Sequence, residues 1–112
     1  ARGEVQGPRL LVYARWHVSP IPTTPQAARA RVQELKRMGA DGIKIVGLDR
    51  DLMAAMLDEA RKVGLRVAHH AGVEETNAWD DARYGSTSIE HWYGIPDAAI
   101  PDGRQHFPAD YN

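Results

Sequence analysis

The sequence predicts an α/β domain built on a parallel sheet, on three observations. Short apolar runs of strand length alternate with amphipathic helical patterns, the connections between them are brief, and two helix–strand units repeat with Gly39 and Gly64 at equivalent points. Strands joined through helices in this way imply right-handed crossovers.

The first run, residues 9–16 (Arg-Leu-Leu-Val-Tyr-Ala-Arg-Trp), reads as a buried strand, closed off by a loop containing Pro20, Pro22 and Pro25. Thr24 suits a helix N-cap and Pro25 the first helical position. Ala28, Val32 and Leu35 then recur at i, i+4 and i+7, and Gly39 suits the stop. A strand over residues 42–46 follows almost at once. Asp49 can cap a second helix, with Leu52, Met53, Met56, Ala60 and Val63 as its apolar stripe, ending at Gly64. The methionines in that stripe are read as core packing. Residues 65–70 form the next strand. A short helix within residues 74–84, a stop at Gly85 and a strand over residues 87–90 complete the order β-α-β-α-β-α-β. Residues 92–112 read as a loop-rich tail with one helical turn within residues 96–100.

The 112 residues, treated as one segment over 1–112, carry a formal net charge of −1, and the fourteen basic residues are scattered. No basic stripe of the kind that tracks a phosphate backbone is present, so no nucleic-acid partner is expected. There is no cysteine, so any metal must use nitrogen and oxygen ligands. No stretch approaches the roughly 20 apolar residues of a membrane span. A soluble protein is expected, with its compartment, cytoplasmic or exported, left open.

Lys44, His70 and His91 fall at the ends of three successive strand-like runs, where parallel β/α proteins build their sites. A lysine between isoleucines is poorly solvated; a chain that reaches water along its own methylenes explains Lys44 alone equally well. Imidazole is the commonest protein ligand for zinc-type metals, and the coincidence of all three residues is the signal. Four parallel strands with only three intervening helices make a poor independent domain, because both faces of a parallel sheet normally need covering. About half of a (β/α)₈ barrel, which uses roughly 250 residues, has this content; self-association is the alternative way to complete the layers.

The runs Gly42-Ile43-Lys44-Ile45-Val46, Val67-Ala68-His69-His70-Ala71-Gly72 and Ser88-Ile89-Glu90-His91, in this order and spacing, resemble strands four to six of the metal-dependent amidohydrolase superfamily, nearest its imidazolonepropionase-like and prolidase-like members. The resemblance covers residues 9–100 and implies an internal segment spanning about strands three to six of a TIM barrel. It implies that Lys44 is carboxylated and bridges two divalent ions, expected to be zinc, and that His70 and His91 are metal ligands. Alternation along the strand agrees with His70 over His69, which is left to packing or to a supporting role near the ligands. Ile89 and His91 share parity, so His91 needs a twist at the strand end or an inward Ile89. Glu90 orients a ligand or substrate, or is a satisfied strand-end carboxylate. Trp92 and Tyr93 line the substrate pocket or anchor a loop.

The sequence departs from the family pattern in lacking a His-x-His pair for strand one and the strand-eight aspartate base. No catalytic acid or base is therefore assigned on this chain; His17 and His106 stand alone in loop-like contexts, read as surface. The expectation is a segment of a hydrolase that cleaves amide, peptide-like or cyclic amide C–N bonds of a small-molecule or dipeptide-like substrate. It would be completed by remaining barrel segments or by a second copy. A non-catalytic assembly module is the competing expectation. A flavodoxin-like binding domain is disfavoured because neither G-x-G-x-x-G nor a P-loop is present.

Overall fold

The computed structural model describes residues 6–70, 76–92 and 94–100. Tyr93, His106 and most of the loop-rich tail lie outside the described residues, as do Ala71 and Gly72. The elements are β1 (Tyr13–Arg15), α1 (Pro25–Arg37), β2 (Gly42–Ile45), α2 (Arg50–Val63), β3 (Arg66–His70), α3 (Ala78–Tyr84), β4 (Ser88–Glu90) and α4 (Ile95–Ala99).

The helix ends follow their sequence signals closely. Thr24 Oγ1 accepts from the Ala27 amide at 3.2 Å, and Pro25 opens α1. Gly64 and Gly85 close α2 and α3 in the left-handed region, at φ 69° and 86°. Asn77 and Asp80 form a reciprocal capping box at the start of α3. Asp49 is a correction: it occupies the N-cap of α2 but makes no side-chain capping bond, and Asp51 Oδ1 instead accepts from the Leu52 amide at 2.8 Å. A second correction concerns β1, which pairs only over Tyr13–Arg15. Leu10, Leu11 and Val12, expected inside a buried strand, are 75 %, 53 % and 58 % exposed. They precede the stretch that faces the helix layer, so nothing among the described residues covers them. The third helix, expected within residues 74–84, spans Ala78–Tyr84 among the described residues, and residues 74 and 75 lie outside them.

All four strands are parallel and lie in the order β1-β2-β3-β4, with Lys44 beside Ala68 and His70 beside Glu90. The order never reverses, unlike that of a doubly wound sheet. With right-handed crossovers, a non-reversing order places every intervening helix on the same face. The burial agrees: Trp16, Ile43, Ile45, Val67 and His69 are essentially fully buried, together with Val32, Met53 and Met56 of the helices. Alternation sends Tyr13, Arg15, Gly42, Lys44, Arg66, His70 and Glu90 to the other face. There the Tyr13 ring lies flat over Gly42, so close that a Cβ at Gly42 would sit 2.5 Å from it. Only glycine leaves room for that ring.

Helices α1 and α2 are joined by polar contacts at their outer edge. Arg29 pairs with Asp58 and, at 3.3 Å, with Glu59, while Lys62 reaches Asp58 at 2.8 Å. Hydrogen bonds from Lys62 and Arg29 hold the Asp58 carboxyl down to about 2. Arg50 Nε meets Asp80 at 3.1 Å, linking α2 to α3. No described helix is long and apolar enough to cross a membrane.

Candidate functional site

Lys44 is the penultimate residue of β2, His70 ends β3 and Glu90 ends β4, so parallel pairing brings all three to one rim of the sheet. Alternation puts them on the face opposite the helices. Lys44 Nζ donates to Glu90 Oε2 across the intervening β3. The small side chain of Ala68, the register partner of Lys44, lies between them and leaves the crossing open. The lysine side chain keeps a quarter of its surface exposed, so its charge is met by both a carboxylate and water. The hydrogen bond from Lys44 holds the Glu90 carboxyl below the usual carboxylate range, with the nearby Lys44, His91 and His70 charges acting in the same direction against a desolvation penalty.

His91 reaches the same place by leaving the strand. Its backbone turns left-handed, φ 69°, immediately after Glu90. The turn removes it from the alternation that would have placed it with Ile89. Its ring comes to lie 4.4 Å from the His70 ring, centroid to centroid, tilted by 56°. A non-glycine residue in this region stores of order 1–3 kcal/mol and persists only where its surroundings over-determine it. Trp92 follows on the exposed side, 46 % accessible.

His69 points into the helix layer and is fully buried. Its Nδ1 stands 2.9 and 2.8 Å from the two carboxylate oxygens of Asp81, itself 2 % exposed. Ser86 Oγ donates to Asp81 Oδ1 at 2.5 Å. His69 Nε2 is buried with no hydrogen-bond partner among the described residues. The sequence reading named neither Asp81 nor Ser86. Parity carried the missing signal: an inward histidine must find a buried partner, and the next helix offers the acidic pair Asp80-Asp81. His17, read as a surface residue, is half-buried near Ile21, Pro22, Asp49 and Leu52, and its Nδ1 is buried without a partner among the described residues.

The donors suit metal binding in part. Imidazole nitrogen is a donor of the kind zinc takes, and two imidazoles lie adjacent here. The Lys44 amine is engaged with the Glu90 carboxylate in this arrangement. Among the described residues, no group of three or more His, Cys, Asp or Glu side chains is placed to hold a metal ion. No known protein-family model matches the chain, and no curated protein matches it.

Proposed function

We propose that the chain is a segment of a metal-dependent hydrolase acting on amide, peptide-like or cyclic amide C–N bonds, in which His70 and His91 are metal ligands. The observation that carries this reading is the pairing of those two imidazoles at the C-terminal rim of neighbouring parallel strands, one of them held there by a strained backbone. The non-reversing strand order and the polar face opposite the helices support the further reading that four strands of a (β/α)₈ barrel are present, that face being the barrel interior.

His70 and His91 would hold a zinc-type ion, which would supply a water of lowered pKa and polarisation of a carbonyl. The chain's own residues supply the setting. His70 and His91 present nitrogen donors from two strands, and Glu90, kept ionised beside them, adds negative charge at the rim. Lys44 orients that carboxylate. The carbamate that the family resemblance implies for Lys44 would form at Nζ, which here donates to Glu90, so that contact would have to open first. The remaining ligands and the proton acceptor belong to strands supplied by other barrel segments or by a partner chain.

Calorimetric titration of the 112-residue chain with zinc tests the assignment. Binding by the wild type that is lost in both His70→Ala and His91→Ala, with the circular dichroism spectrum unchanged, is the expected result. Undiminished binding by either variant removes that residue from the ligand set.

A second reading, an assembly module without catalysis, has its own observation. Leu10, Leu11 and Val12 lie exposed at the edge strand β1, and parallel sheets are normally covered on both faces. Zinc-independent self-association with no metal binding favours it.

A further inference from the structure

We infer that Asp81 is a positioning residue for the candidate site, setting through His69 the relation between the strand ends that carry His70 and His91. The inference rests on the reading of that site given above.

Asp81 sits where three elements meet. Its carboxylate takes the His69 ring from β3 at 2.9 and 2.8 Å, and Oδ1 also accepts from Ser86 at 2.5 Å. Its backbone carbonyl accepts from the Gly85 and Ser86 amides at 2.9 and 3.0 Å, fixing the turn that leads into β4. One residue therefore holds both the interior of β3 and the approach to β4. Thr87 adds a clamp one step along, where its hydroxyl donates to the Val67 carbonyl at 2.7 Å and accepts from the Val67 amide at 2.8 Å. The clamp fixes the register in which His69 faces Ile89 and His70 faces Glu90. His70 is the next residue after His69, and His91 lies two beyond Ile89.

Stability alone does not account for this arrangement. A fully buried histidine and aspartate occupy a layer otherwise filled by Ile43, Ile45, Val67, Met53 and Met56, where well-packed apolar residues serve at least as well. Among the described residues the pair also leaves His69 Nε2 unsatisfied, which an apolar side chain would avoid. What the pair supplies is direction. A bifurcated hydrogen bond from the Nδ1–H to both carboxylate oxygens of Asp81 orients the His69 side chain, and with it the backbone that aims His70. In metal sites, loss of a partner bonded directly to a ligand lowers affinity by about 10- to 100-fold, and Asp81 acts one residue removed from the ligand, so the lower end of that range is expected.

The test uses the full chain and a pair of variants, Asp81→Leu and Asp81→Asn, read three ways: thermal unfolding, zinc titration, and the nuclear Overhauser contact between His70 and His91 ring protons in the metal-free chain. The inference expects Asp81→Leu to stay folded, to lose the ring–ring contact and to bind zinc about tenfold more weakly or worse. Asp81→Asn, which retains an acceptor for the His69 ring, should keep the contact and most of the affinity. A folded Asp81→Leu with the contact intact and wild-type zinc affinity overturns the inference, as does a wild type that lacks the contact. If Asp81→Leu does not fold, Ser86→Ala, which removes one bond to Asp81, decides: a weakened contact supports the inference and an unchanged one overturns it. The contact is read without metal. Its loss in Asp81→Leu alongside a wild type that binds no zinc sustains the positioning role while removing the metal reading.

Discussion

The imidazoles of His70 and His91 stand 4.4 Å apart, although strand alternation alone would send them to opposite faces of the sheet. The left-handed turn at His91, φ 69°, resolves the conflict. That conformation is unfavourable for histidine, so the structure holds local strain at the position where the candidate site needs a side chain.

Substitution at His91 should expose the strain. Both His91→Gly and His91→Ala remove the ring, but only glycine adopts this backbone without a Cβ penalty. Denaturant unfolding is expected to find His91→Gly more stable than His91→Ala by about 1 kcal/mol. Equal stabilities would mean that the backbone relaxes at no cost.

Much of this was legible beforehand, and the reasons differ by residue. Gly64 and Gly85 announce helix ends because few other residues take a positive φ. Val32, Leu35, Met53 and Met56 announce buried faces through their helical spacing. The partner of His69 was not legible in the same way, because Asp81 lies twelve residues on and its carboxylate reads equally well as a charge at a helix start. Nor was the ion pair of Lys44 with Glu90, which depends on strand register and on the small side chain at Ala68. The extent of β1 was overstated because apolar residues continue past the point where the helix layer covers them.

The core should answer to truncation. Met56 is completely buried against the sheet, and Met56→Ala is expected to lower stability by about 2–5 kcal/mol through lost apolar contact and the cavity left behind. A loss below 1 kcal/mol would show that the α2 interface collapses to fill the space.

Acid should weaken the contacts of Asp58 with Lys62, within α2, and with Arg29 of α1. Its carboxyl is held at about 2 against an ordinary 3.8, so its contribution is complete above the ordinary value and is lost as pH falls from there through the folded value. The stability difference between wild type and Asp58→Asn should therefore be constant near neutrality and narrow below about pH 4. A difference that persists unchanged at the bottom of that window would show that the charge does not act through its contacts with Lys62 and Arg29.

The exposed run at Leu10, Leu11 and Val12 should drive association. Sedimentation velocity is expected to show concentration-dependent oligomers that shift toward monomer in the double variant Leu10→Lys, Leu11→Lys. Identical profiles for the two proteins would place the association surface elsewhere.

The most direct test of the central claim is a native mass spectrum of the chain recorded with zinc, alongside the His70→Ala, His91→Ala double variant. The account predicts zinc-bearing species, in assemblies or monomers, that are absent from the double variant. A wild type that stays metal-free, or a double variant that retains the metal, would contradict it.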